Sequence, residues 1–523
     1  MSDLAGQVRD GYAFDGPALD LGALVVDGRG DPGAKVRIPL GMLNRHGLVA
    51  GATGTGKTKT LQVMAEQLSA AGVPVFLADI KGDVSGMSVA GTANEKITAR
   101  AAEIGQDWQP VAYPVEFYAL GGHGTGIPVR ATITSFGPVL LSKVLGLSDV
   151  QSSSLNLIFH FADANGLPLL DIKDLRSVIQ YLVSDEGAEQ LRSLGGLSKQ
   201  TAGVLLRELV AFSDAGADDF FGEPEFDTAD LMRTAPDGRG VASILELPGV
   251  VAQPALFSSF LMWLLADLFQ DLPEVGDVDK PKLVFFFDEA HLLFKDASKD
   301  FLESITQTVR LIRSKGVGVF FVTQTPKDVH PDVLAQLGNR VQHALRAYTP
   351  DDAKALKATA STFPRSAYDL EEVLTQLGTG EAIVTVLSEN GAPTPVAWTR
   401  LCAPRSLMGA ADAAAMTAAV KGSSLYPKYA EPVDRESAYE KLAARVAPPS
   451  TGSYPQGSTA PDAPPAQSYP QGDKPPKAQK DEPNMVEKVL GSTATKSFVR
   501  AAATAAGAAI ARQIFGTAKR RRR

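Results

Sequence analysis

The sequence predicts an α/β protein built on a mainly parallel sheet, with an all-helical subdomain inserted into it. Two observations carry the sheet. Six short apolar runs, HGLVAG, VPVFLAD, GVASILEL, KLVFFFDE, GVGVFFVTQ and GEAIVTVL, are continuous rather than alternating, as in strands covered on both faces. Helical patterns lie between them, at 58–71, 298–315 and 351–360, which is the alternation of a doubly wound domain. A third observation carries the insert. Residues 136–235 show little strand character but several amphipathic patterns, at 155–165, 171–183 and 198–212.

The remaining elements follow in chain order. Residues 1–45 hold apolar bursts at 21–26 and 36–40 between Gly-, Asp- and Pro-rich turns, a short β-rich lead-in. The core is then expected in two parts, 46–135 and 236–408, on either side of the insert. A helical extension, 409–448, comes next. Residues 449–484 are rich in Pro, Gly, Ser and Gln and carry SYPQG twice, so a disordered linker is expected. The last segment, 485–523, has nine Lys or Arg against one Glu and ends KRRRR. Val499, Ala503, Ala506, Ile510 and Ile514 recur there at helical spacing, which predicts a basic amphipathic C-terminal helix.

Composition limits the function classes. The 523 residues are 44% hydrophobic and 21% charged with a net charge of −8, so no global basic field draws nucleic acid to the surface. Contact with DNA would need a local patch or a pore. One cysteine, Cys402, excludes a disulfide framework and suits a reducing compartment. The N-terminus lacks the pattern of a secretory signal, and no apolar run reaches the length of a spanning helix. A cytoplasmic location is expected, with peripheral attachment at an inner membrane as the alternative. Isolated histidines and the lack of a Cys/His cluster argue against structural zinc.

The segment GATGTGKT, residues 51–58, satisfies G-x-x-x-x-G-K-[ST] at every fixed position. A strand-like run precedes it and a helical pattern follows, the context that a phosphate-binding loop requires. Backbone N–H groups of Gly51, Ala52, Thr53, Gly54, Thr55 and Gly56 can wrap a polyphosphate, aided by the positive end of the following helix. Lys57 can reach the β and γ phosphates, Thr58 can join a Mg²⁺ shell, and Lys59 adds charge in the first turn. A carboxylate at the end of a neighbouring buried strand is then needed. LVFFF runs straight into Asp288, a candidate for the metal shell, and Glu289, a candidate for polarising the attacking water. The strand GVGVFFVTQ ends in Gln324, placed to sense a γ-phosphate or orient water. The preceding helix carries Arg310 and Arg313, candidates for reaching the nucleotide of a neighbouring subunit. For each arginine the alternative is a solvated helix end that suits the helix dipole. Together these predict a RecA-like P-loop NTPase core that uses ATP and Mg²⁺.

The spelling D-E-A-H at 288–291 also occurs in a large group of helicases, but their Ser-Ala-Thr and Gln-…-Gly-Arg-x-Gly-Arg motifs are missing and one nucleotide core is visible where they need two. The chain instead resembles the HerA/FtsK group of motor ATPases, which includes the coupling ATPases of type IV secretion. HGLVAGATGTGKT, LADIKGD, FFFDEAH and RSKGVGVFFVTQTP carry the resemblance. More narrowly, residues 20–520 resemble the YjgR-like bacterial branch of HerA-like ATPases. The resemblance implies a homo-oligomer, hexameric in that group, and makes Arg313 the better finger candidate than Arg310. It leaves two functions open. One is translocation of DNA through a ring. The other is an ATP-driven motor or switch acting on a protein, or on an anionic membrane surface through residues 485–523.

Overall fold

The computed structural model describes residues 2–446, except 192–194, 248–253, 277 and 295–298. The linker 449–484 and the C-terminal segment 485–523 lie outside the described residues. The strands are β1 (Ala18–Val26), β2 (Arg29–Pro39), β3 (Gly47–Ala50), β4 (Val75–Asp79), β5 (Val115–Leu120) and β6 (Ile127–Val129), followed by β7 (Ala242–Glu246), β8 (Leu283–Phe287), β9 (Val317–Thr323), β10 (Asn339–Gln342), β11 (Glu381–Thr385) and β12 (Ala397–Leu401). They form one twelve-stranded sheet in the order β2-β1-β12-β11-β10-β3-β9-β8-β4-β7-β5-β6. From β10 to β6 every pair is parallel. From β10 to β2 every pair is antiparallel.

The central strands are fully buried along their length, which is why their apolar runs are unbroken. Aromatic pairs tie neighbours together in register. Phe286 lies opposite Phe320 and Phe287 opposite Phe321, with ring centroids 5.4 Å and 5.7 Å apart. The run GEAIVTVL was expected among the parallel strands, yet its strand β11 is antiparallel to both neighbours. Continuity reports burial on two faces, and burial carries no information about direction. The residues 1–45 expected as a β-rich lead-in carry β1 and β2. They extend the core sheet beyond β12.

Between β6 and β7 the chain forms the helices Ile133–Val144, Asp149–Ala164, Ile172–Leu182, Asp185–Leu191 and Lys199–Asp214. Side-chain caps at Thr132, Asp171 and Ser198 start three of them. The first packs on the apolar helix Pro254–Asp271. The last helix among the described residues, Ala438–Val446, docks on Ile172–Leu182, where Asp174 accepts the Tyr439 N–H at 2.9 Å. No helix among the described residues is long and apolar enough to cross a membrane.

Candidate functional site

The site is assembled where the parallel strands end. β3 leads into the glycine loop, and the helix Lys57–Ala70 leaves it. Gly51, Gly54 and Gly56 have φ of 156°, 79° and 113°, which only glycine adopts without strain. A side chain at Gly51 is excluded a second way, because a Cβ there would lie 2.4 Å from that of His343. The loop is pinned to its neighbours by the Gly51 N–H to Thr323 O (3.2 Å) and the Ala52 N–H to Ala344 O (2.8 Å). The N–H groups of Thr53, Gly54, Gly56 and Lys57 have no hydrogen-bond partner among the described residues. Unpartnered backbone donors in a glycine loop before a helix are of the kind that binds anions.

His343 supports the loop from below. Its Nδ1 donates to Thr55 O at 3.1 Å, since a carbonyl can only accept, so its Nε2 accepts the Thr60 hydroxyl at 2.9 Å. Burial and the nearby Lys57 charge push the imidazole down to about 3, so it stays neutral. The Gly380 N–H also donates to Thr55 O, at 3.0 Å. Lys57 is buried and folds back on the loop, its Nζ 2.7 Å from Gly51 O and 3.1 Å from Ala52 O. Burial depresses its basicity, and Glu289 and Asp288 oppose that effect. Thr58 is half-buried in the first helical turn, while Lys59 donates to Gln62 at 3.2 Å.

The acidic pair lies two strands away rather than on the next strand, because β9 separates β3 from β8. That β9 is the intervening strand puts the exposed Gln324, the residue just after its end, on the strand between the loop and the carboxylates. Asp288 is 5% exposed. One of its oxygens accepts the Glu289 N–H at 2.9 Å, and the other, Oδ2, is buried without a partner. Burial pushes its carboxyl up to about 6 against the pull of Lys81. Glu289 has φ 47°, a left-handed backbone that a non-glycine residue adopts at a cost. Its Oε1 lies 2.7 Å from Lys81 Nζ. Its Oε2 is 3.3 Å from His291 Nδ1, near enough for charge attraction but not aligned as a hydrogen bond. Burial raises Glu289, but Lys81, His291 and Lys57 together hold it below the ordinary carboxylate range.

Lys81 belongs to the turn after β4. Asp79 fixes that turn by accepting the N–H groups of Lys81 (3.2 Å), Gly82 (2.8 Å) and Val84 (2.8 Å). Neither Lys81 nor His343 is distinguishable as a site residue from its local sequence. The local signal for Lys81 is its place within LADIKGD, and His343 follows a short polar strand with no pattern of its own.

The arginines are elsewhere. Arg313 opens a 3₁₀ turn just before β9, and Arg310 is exposed on the helix Lys299–Ile312. Both precede the N-terminal end of a parallel strand, the sheet edge opposite the glycine loop. His46 is buried at the same edge. Burial, with smaller contributions from Arg313 and Arg45, pushes it down to about 4.

The donors fit a nucleotide with a divalent cation. The row of unpartnered N–H groups and the lysine suit phosphates, and the orphaned Asp288 oxygen together with the Thr58 hydroxyl are hard oxygen donors of the kind Mg²⁺ takes.

Known proteins resemble this chain in fold and in sequence. The plasmid coupling protein TrwB, in complex with ADP and Mg²⁺, matches 78% of this chain and 95% of its own at a TM-score of 0.51 and 17% identity, a likeness of fold. Over 352 residues the chain is 22% identical to the DNA double-strand break repair helicase HerA of Sulfurisphaera tokodaii, covering 67% of this chain and 64% of that protein. A stretch of 118 residues is 35% identical to a probable helicase of Methanocaldococcus jannaschii, 22% of this chain and 21% of that one. The chain thus spans about a fifth of one curated relative and just under two thirds of the other. The model of the helicase HerA-like C-terminal family matches residues 25–523, and the chain belongs to that family.

Proposed function

We propose that this chain is a Mg²⁺-dependent ATPase that assembles into a homo-oligomeric ring and couples hydrolysis to movement along DNA. The observation that supports it best is the buried, unpartnered Asp288 Oδ2 at the same sheet edge as Lys57 and the free N–H row of the glycine loop. In this reading residues 51–57 hold the phosphates, and Lys57 leaves the loop carbonyls for the β and γ phosphates. Thr58 and Asp288 hold the Mg²⁺ shell. Bound Mg²⁺ would supply charge neutralisation at the phosphate oxygens. Glu289 orients and polarises the attacking water, and Gln324, at the tip of the strand between, helps to position it. Arg313 lies at the sheet edge opposite its own loop, so its part is to complete the site of a neighbouring subunit, with Arg310 the second candidate. The TrwB complex with ADP and Mg²⁺ supports the nucleotide reading, and the HerA relative supports DNA as the polymer.

The test is nucleotide turnover by the purified full chain, alone, with double-stranded DNA, and with anionic vesicles. DNA should raise turnover several-fold at low salt, with the effect fading as salt rises. Turnover indifferent to DNA but dependent on vesicles would sink the translocase and favour a motor at a membrane surface working through residues 485–523.

A further inference from the structure

Four charged side chains adjoin at the strand ends, and one of them has no assigned part. Lys57, Asp288 and Glu289 belong to the site described above. Lys81 does not, yet it makes the tightest side-chain contact there, 2.7 Å to Glu289. Its charge acts on Asp288 and on Lys57 as well as on Glu289, so all four share one field.

The three lysines near the loop differ in freedom. Lys57 is 7% exposed and donates to two loop carbonyls, while Lys59 donates to Gln62. Lys81 has a side chain 43% exposed. Its backbone is held by Asp79, while its long side chain, paired with Glu289, is open to solvent on the other side. The Glu289 carboxylate, meanwhile, is occupied. Lys81 holds one oxygen and His291 faces the other, from a backbone in the left-handed region. A carboxylate so engaged is poorly available to water.

We propose that Lys81 is a terminal-phosphate sensor. It pairs with Glu289 when the loop holds a diphosphate, and exchanges that carboxylate for the terminal phosphate when a triphosphate binds, which releases Glu289 toward water. The exchange is of one anion for another on a single ammonium, and no bond is made or broken. The proposal rests on the nucleotide-site reading above.

Binding measurements on the full chain test it without relying on turnover. ADP and the non-hydrolysable analogue AMP-PNP, each with Mg²⁺, are titrated by calorimetry into wild type, Lys81→Met, Glu289→Gln and the double variant. Lys81→Met should weaken AMP-PNP about tenfold, the scale of one charge-assisted contact, and leave ADP within about twofold. Lys81→Arg should restore part of the difference. Glu289→Gln removes the competing anion, so it should tighten AMP-PNP by roughly threefold, and only while Lys81 is present. Unchanged ADP affinity shows in the same experiment that the variants are folded. If Lys81→Met leaves the ratio of the two affinities at its wild-type value, the pair is a structural ion pair and the sensor is overturned. If wild type binds neither nucleotide, the nucleotide-site reading fails and takes the sensor with it.

Discussion

Two buried carboxylates at strand ends, one in each half of the sheet, have opposite surroundings. Glu381 opens β11 in the antiparallel half. It accepts Arg400 Nη2 at 2.7 Å, Trp398 Nε1 at 3.0 Å and the Gly378 N–H at 3.0 Å. Arg400 also pairs with Glu103, and Arg100 donates to the carbonyls of Thr379, Gly380 and Leu401. Burial pushes Glu381 up, but these donors outweigh it and hold the group below the ordinary range. Asp288 follows β8 in the parallel half with one backbone donor, an orphaned oxygen and a carboxyl raised to about 6. The shifts are opposite because Asp288 is the more deeply desolvated and has one backbone donor, while Glu381 has an arginine, an indole and a backbone donor. A satisfied buried acid holds the fold together. An unsatisfied one is retained at a cost to stability and marks a place where something else is expected to bind.

Three changes would break or sharpen that contrast. The largest effect is expected for Lys57→Ala in the parallel half. On the proposed reading, in which Lys57 meets the phosphates, its loss should lower turnover by about 10³-fold or more, with the circular dichroism spectrum retained. Turnover within tenfold of wild type would remove the chemistry from this edge of the sheet.

Next is Arg400→Ala in the antiparallel half, which leaves Glu103 and Glu381 without their shared cation. Because Glu103 is partly exposed, the expected loss is at the lower end of the buried-pair range, about 3 kcal/mol in urea unfolding. Glu381 has a depressed folded-state value, so its contribution is present above the unfolded value, 4.5, and is lost as pH falls through the folded one. The deficit of the variant should accordingly shrink on acidification. A deficit that stays constant down to pH 2 would show that the network works through packing alone.

Smallest, and of opposite sign, is Asp288→Asn. The folded-state value is raised from 3.8 to about 6, so the acid favours the fold fully below 3.8, and that advantage is lost as pH rises through 6. Asparagine carries no such loss. Without Mg²⁺ the variant should be more stable than wild type at pH 7.5, by at most the roughly 3 kcal/mol that this rise represents, and indistinguishable near pH 3.5. A destabilised variant at pH 7.5 would mean that the charged carboxylate is already compensated.

The two halves were also unequally legible. The glycine loop could be read directly, because each constraint on it is local: a strand, a backbone that needs positive φ at Gly51, Gly54 and Gly56, and a helix. Asp288 and Glu289 could be read from the unbroken apolar run before them. The strand order could not, and so β9 was not foreseen between β3 and β8. Nor could the direction of β11, whose apolar run resembles that of a parallel strand. His343 and Lys81 lie 286 residues after and 24 residues after Lys57, and only packing brings them to the loop.

The sequence by itself determined what is encoded over a few consecutive residues. That includes the α/β class, the phosphate loop and the acidic pair, since backbone geometry and two-face burial leave their marks at fixed spacings. The tertiary structure alone decided which edge each group occupies, which carboxylate is satisfied, and that Lys81 rather than a loop lysine meets Glu289. Those are contacts between residues distant along the chain, and their energies depend on burial and donor count, which no local spacing records.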